Sequence, residues 1–301
     1  MRRAVPLVFN IVAVCLFSIV FGQEPGDSRY STIRVDVNTV RVRITAADAL
    51  NRFVTGFKPE HFKVYEDKVE QTIVNFTQEP SPVSIGLIFD TSYSMKTKTL
   101  NARKSAVEFL EGGTVEDEYF LVLFNDRARL AQDITNDVRT IRNKIAMSEP
   151  RGSTALLDAI YIGLEKIQEC RHPKKALIVV TDGEDNRSRY TFGEVEEFGR
   201  EIDCQIYILG EHGTLGYGEA IMQDLAKMSG GRVFFPNSLN ELEYFVDLIH
   251  SELRNQYIIG YVPTNKRRDG SWRKITVKLS PPPGLPKLFL HYREGYYAPK
   301  Q

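Results

Sequence analysis

Val83-Ser84-Ile85-Gly86-Leu87-Ile88-Phe89 runs without a charge into Asp90-Thr91-Ser92-Tyr93-Ser94-Met95, and the reading of this stretch decides the fold. A continuous apolar or small run bounded by a polar turn predicts a strand buried on both faces of a parallel sheet. The side-chain oxygens of Asp90, Ser92 and Ser94 then fall just past that strand's C-terminal end, where open α/β sheets collect their ligands. Three oxygens spaced two residues apart on a tight turn can converge on one hard cation of the Mg²⁺ type, which prefers a near-octahedral oxygen shell. Two hydroxyls and one carboxylate under-neutralise such an ion, so it would draw a carboxylate from outside. An ordinary βα turn whose Ser and Asp side chains cap the next helix explains the same residues. On the triplet alone both readings stand.

Outward from this strand, residues 82–254 alternate apolar strands with amphipathic helices. Helical periods cover Asn101–Leu110 (stopped by Gly112-Gly113), Asn136–Met147 with Asn136 as cap, Ala155 to about Cys170, Thr191–Ile202, Ala220–Met228 and Leu239–Leu253. Between them lie strand signals at Tyr119–Phe124, Ala128–Ile134 (alternating, as on an edge), Ala176–Thr181, Gln205–Leu209 and Val233–Phe235. This rhythm predicts a doubly wound, mainly parallel, Rossmann-like sheet.

The flanks carry β patterns only. Ile33–Ile44 reads as a half-buried strand with a phase change near Asn38-Thr39, followed by strands at Phe62–Val64 and Val69–Phe76. After the α/β region come Tyr257–Val262, a turn at Asp269-Gly270, Trp272–Leu279 and Leu288–Tyr292. Each set is too thin to bury a core alone. The economical expectation is one small β-sandwich built from residues 33–78 and 256–301, with the α/β domain of residues 82–254 inserted into it.

Arg2 and Arg3 precede an apolar run from Ala4 to Gly22, the pattern of an export signal over residues 1–22 with cleavage near Val20-Phe21-Gly22 and a linker over 23–32. The rival reading is an uncleaved membrane anchor; lipidation of Cys15 is disfavoured by Val14 before it. All three place the body outside the cytoplasm, periplasmic or secreted, with membrane contact only through an uncleaved N-terminus. The 39 Lys and Arg residues equal the 39 Asp and Glu, and no basic tract points to nucleic acid. Without the first 22 residues only Cys170 and Cys204 remain, and two alternatives stay open for them: a disulfide or two buried thiols.

Two more polar sites fall at strand ends. Thr154 lies in the Gly152-Ser153-Thr154 turn before a helix, and Asp182 follows the strand ending at Thr181. A cap at Ser153 or Thr154 and a plain Asp182-Gly183 turn account for each singly. They do not account for all three polar sites meeting one edge of one sheet.

In these residues the chain resembles the von Willebrand factor A domain, over about Pro82 to Leu253. The resemblance implies a metal-ion-dependent adhesion site in which Ser92, Ser94 and Thr154 offer hydroxyls to Mg²⁺ or Mn²⁺ and Asp90 and Asp182 contribute carboxylates. The Thr181-Asp182-Gly183 turn and Gly230-Gly231 are also similar to that family. Val54-Thr55-Gly56-Phe57, Phe62-Lys63-Val64-Tyr65-Glu66-Asp67, Gln256-Tyr257 and Gly295-Tyr296-Tyr297-Ala298-Pro299 resemble a group of exported bacterial proteins carrying this domain.

The function expected from these readings is non-enzymatic: an exported protein that holds a protein ligand through a partner Asp or Glu completing the metal shell. Tyr93, Glu184, Asp185, Arg187 and the Gly213–Gly218 loop are the rim candidates. Two alternatives remain, a structural or assembly factor binding through its β-sandwich and a metal-assisted hydrolase. The second needs a general base, and of the five histidines only His212 lies on a loop at the right edge. No Gly-x-Ser-x-Gly elbow occurs, and Ser92 stands where an Asp-x-Asp phosphotransferase needs its second carboxylate. Asn75-Phe76-Thr77 and Asn186-Arg187-Ser188 match glycosylation acceptors, a pattern frequent by chance.

Overall fold

The computed structural model describes residues 39–78, 80–210 and 217–300. The expected export signal, the linker, residues 33–38, His212 and residues 213–216 of the rim loop lie outside the described residues. In chain order the first flank supplies β1 (Val40–Asp48), β2 (Phe62–Glu66), β3 (Val69–Gln71) and β4 (Ile73–Thr77). The α/β region supplies β5 (Val83–Asp90), α1 (Thr99–Glu111), β6 (Glu118–Phe124), β7 (Ala128–Thr135), α2 (Val138–Ala146), α3 (Leu156–Ile167) and β8 (Lys174–Thr181). It continues with α4 (Phe192–Glu201), β9 (Gln205–Gly210), α5 (Tyr217–Ser229), β10 (Val233–Phe234) and α6 (Leu239–Arg254). The second flank gives β11 (Tyr257–Tyr261), β12 (Trp272–Leu279), β13 (Leu288–His291) and β14 (Gly295–Tyr297).

β5 is the axis of a six-stranded sheet in the order β10-β9-β8-β5-β6-β7. Every neighbour pairs in parallel except β7, which closes the edge antiparallel to β6. All eight residues of β5 are buried. Ile85, Leu87 and Phe89 point into a layer with Ala106 and Phe109 of α1, Ile141 of α2 and Ile249 of α6. Ile88 faces the opposite layer, with Leu164 of α3, Val195 of α4 and Leu225 of α5. Burying each such side chain contributes about 2 kcal/mol, which is why an unbroken apolar run rather than an alternating one specifies this strand.

The flanks interleave into two antiparallel four-stranded sheets, β13-β1-β11-β4 and β14-β12-β2-β3, each taking strands from both ends of the described chain. Val42 and Ile44, Phe62 and Val64, Tyr257 and Ile259, and Ile275 and Val277 form the core between them. The sandwich with an inserted α/β domain is thus the observed fold.

Four local expectations are corrected. β1 is not half-buried: Val42–Asp48 is buried on both faces. Its other face packs on the α/β domain, where Arg43 donates to Asp203 at 2.6 Å. The run expected as a single strand from Val69 to Phe76 is two strands in different sheets, because the chain crosses over at Thr72. β11 and β12 likewise belong to different sheets and do not form a hairpin about Asp269-Gly270. The cap of α2 is Asp137 rather than Asn136: its carboxylate accepts the Arg139 N–H at 3.1 Å. Cys170 and Cys204, the candidate disulfide, are both buried free thiols, in the same apolar layer. Among the described residues no helix is long and apolar enough to cross a membrane.

Candidate metal centre

Strand order reverses between β5 and β8: the chain runs outward through β6 and β7, then returns to the far side of β5. A crevice opens at such a reversal, at the carboxyl ends of the two strands. Asp90 ends β5, and Asp182 directly follows β8. The register that sets Phe89 beside Val180 carries Thr181 to Asp90, and its hydroxyl donates to Asp90 Oδ2 at 2.7 Å.

Hydrogen bonds draw the three loops together. Ser92 N–H donates to Asp90 Oδ1 at 2.8 Å, and the Ser92 and Ser94 hydroxyl oxygens stand 3.0 Å apart. Tyr93 N–H donates to Gly152 O at 3.0 Å and Arg151 N–H to Thr91 O at 2.8 Å, joining the first loop to the second. Thr154 is buried, and the third loop clasps it: its N–H donates to Asn186 Oδ1 at 2.9 Å while its carbonyl accepts from Asn186 and Arg187. Gly152 sits at φ +74°, where L side chains are strained, and a Cβ there would lie 2.2 Å from Asp126 Oδ2. Gly183, at φ +83°, turns the chain away after Asp182.

Burial dominates the electrostatics at this crevice. Burial pushes the Asp90 carboxyl up to about 6. The Ser92 and Thr181 hydroxyls and the Ser92 N–H pull it down, and the charge of Asp182 adds to the rise. Asp182 is itself buried, and its Oδ1 has no hydrogen-bond partner among the described residues. An unpaired buried carboxylate oxygen costs several kcal/mol unless a cation or donor reaches it. Among the described residues the counter-charge is Lys98, whose Nζ is 3.5 Å from Asp182 Oδ2. The donor set of two carboxylates and three hydroxyls is all hard oxygen, which suits Mg²⁺ or Mn²⁺ and not a thiophilic metal. Among the described residues no group of three or more His, Cys, Asp or Glu side chains is placed to hold a metal, so any metal here depends on the hydroxyls.

The rim residues divide. Tyr93 is 63% exposed with the Lys96 ammonium 5.5 Å from its ring, and Glu184 and Arg187 are exposed. Asp185 is turned inward: it accepts the Leu157 N–H at 3.0 Å in the first turn of α3, and the N–H groups of Arg187 and Ser188. It caps a helix from a distant loop, a role no local pattern announces. Sequence reading also missed Lys98, the Thr181 hydroxyl and Asn186. The only signal for Lys98 was its place one short turn after the Ser94 loop.

A doubly wound α/β domain with oxygen-bearing side chains on three loops at its switch point is the class that fold and site define. Residues 85–184 match the sequence model of the von Willebrand factor type A domain. No curated protein sequence matches the chain. Among solved structures it is similar to a von Willebrand factor type A protein from Catenulispora acidiphila at 11% identity, with 89% of this chain and 75% of that one covered and a TM-score of 0.53. It is also similar to proximal thread matrix protein 1 from the mussel byssus at 18% identity, covering 63% of this chain and 51% of that one, with a TM-score of 0.51. BatB from Bacteroides thetaiotaomicron aligns at 19% identity over 56% of this chain and 98% of its own, with a TM-score of 0.48. At these identities the likeness is one of fold.

Proposed function

We propose that this is an exported, non-enzymatic binding protein that engages a protein partner through a Mg²⁺ or Mn²⁺ ion at Asp90, Ser92, Ser94, Thr154 and Asp182. The observation that carries this reading is the unpartnered Asp182 Oδ1 beside the buried Asp90, two carboxylates facing one crevice with a single lysine for counter-charge. A divalent cation bound there would supply a Lewis-acidic docking point for a partner Asp or Glu. The chain's own part is to hold the oxygens: Thr181 and the Ser92 N–H orient Asp90, and Asn186 fixes the Thr154 loop.

The hydrolase alternative finds no histidine base at this crevice among the described residues. The His61 ring accepts the Lys58 N–H in the sandwich, and His172 pairs with Glu116 O at the opposite edge of the sheet. His250 stacks on Phe109, and His291 lies in β13. Manganese titration followed by electron paramagnetic resonance tests the metal reading directly. One saturable site is expected in the full chain and none in Asp90→Asn; equal binding by both proteins removes the proposal.

A further inference from the structure

Next to the candidate metal centre runs a polar groove of about 680 Å³, lined among others by Arg127, Arg187 and Arg189, with Asp126 and Asp158 in its walls. It is continuous with the Thr154 loop. Ser153 N–H donates to Asp126 Oδ1 at 2.8 Å, and the Arg187 N–H binds the Thr154 carbonyl at 3.0 Å. An occupant of one site therefore lies against the other.

The acidic groups of the groove are already committed. Asp158 is buried and accepts the backbone N–H groups of Arg189 at 2.8 Å and Tyr190 at 3.1 Å, with Arg189 Nε at 3.2 Å. The Ser153 N–H holds the Asp126 carboxyl below its ordinary range, helped by the Ser153 hydroxyl and by the charges of Arg187 and Arg151. The Arg127 and Arg187 side chains are exposed, whereas Arg189 is engaged with Asp158 at 3.2 Å. In a chain of zero formal net charge, the groove is locally cationic, its three arginines facing two aspartates. A guanidinium fork matches a carboxylate in a two-point contact and is less strongly hydrated than an ammonium, so it favours desolvated pairing at an interface. Beside the Ser94 loop Tyr93 and Leu100 are exposed, with the exposed Lys96 against the Tyr93 ring.

We propose that this arginine-lined groove is a second subsite for an acidic segment of a partner protein, adjoining the carboxylate that reaches the metal. The inference rests on the metal-site reading for that first carboxylate but not for the second. The recognised segment then carries two acidic positions, one for the ion and one for Arg127 and Arg187.

A random peptide library displayed on phage and selected on the immobilised protein with Mn²⁺ tests this. The wild type is expected to enrich peptides with two acidic residues at a fixed short spacing. Arg127→Gln/Arg187→Gln, whose side chains are exposed, should keep its thermal midpoint and its Mn²⁺ titration while losing enrichment at the second acidic position by about tenfold. Asp90→Asn separates the two readings. Loss of the first acidic position with the second retained upholds the groove and the metal together. An arginine-dependent acidic preference that ignores both Asp90→Asn and chelator upholds the groove and ends the metal reading. Selection of one acidic position only, or the same consensus from the double arginine variant, overturns the groove. So does tighter arginine-dependent binding of a single-stranded oligonucleotide than of the selected peptides.

Discussion

The two edges of the central sheet are built from the same residue types and treated in opposite ways. At the edge where the strands begin, Asp117, Glu118 and Asp203 each meet an arginine. Asp117 accepts the N–H groups of Val83 and Thr114 and pairs with Arg254. Glu118 accepts the Ser84 hydroxyl at 2.6 Å and the Arg171 N–H at 2.7 Å. Asp203 meets Arg43 and Arg293, and Gln205 meets Gln256 at 2.6 Å. Burial works against the Asp117 carboxylate, yet Arg254 and the backbone donors hold it below the usual range. At the edge where the strands end, burial wins, and Asp90 is pushed up to about 6 beside an Asp182 oxygen that has no hydrogen-bond partner among the described residues. The sandwich is fastened to the first edge through Arg43, Gln256 and Arg293, which leaves the second uncovered. The arginine partners are concentrated at the first edge, and at the second Lys98 is the counter-charge among the described residues.

The largest expected effect comes from breaking the satisfied edge. Asp117→Ala strands Arg254 and two backbone N–H groups, and should lower unfolding free energy by about 3–4 kcal/mol in urea titration. Asp90→Asn in metal-free buffer should cost almost nothing or raise the midpoint, since it removes an unmatched buried charge. Equal losses for the two variants would erase the contrast. Next, Mg²⁺ at a hundredfold excess over its dissociation constant should stabilise the wild type by about 2.7 kcal/mol, and Asp182→Ala not at all. Calorimetric scans with and without chelator read this difference.

Smaller effects sharpen the picture. Lys98 is the counter-charge that an incoming cation must compete with at Asp182, so Lys98→Met should tighten Mn²⁺ binding about threefold to fivefold. A weaker Mn²⁺ titration in that variant would mean that Lys98 supports the site instead. Tyr93→Ala should leave urea unfolding unchanged within about 0.5 kcal/mol, as expected for an exposed side chain. Mn²⁺-dependent capture of the selected peptides should still weaken if its ring contacts the partner.

The strand at Val83–Asp90 was legible because a run buried on both faces must be apolar throughout, and the polar residues at the ends of β5 and β8 were legible because the apolar runs stop there. What lay beyond the sequence was decided at a distance. Thr72 gives no sign that the chain changes sheets, since both halves of Val69–Phe76 have strand character whichever sheet they join. Asp185 reads as a rim carboxylate, and only its contact with the Leu157 N–H of a distant helix turns it into a cap. Arg43 looked like the solvent side of a half-buried strand until the inserted domain covered it. The Arg127–Arg187 groove was invisible because its lining comes from two loops about sixty residues apart, joined only by the fold.

Both crossings between sandwich and α/β domain lie side by side: Arg254 reaches Ser81 O at 3.4 Å, and β4 and β11 pair directly, Thr77 with Ile258. The Thr77–Ile258 pair therefore closes the sandwich across the point where the chain leaves for the α/β domain and returns from it.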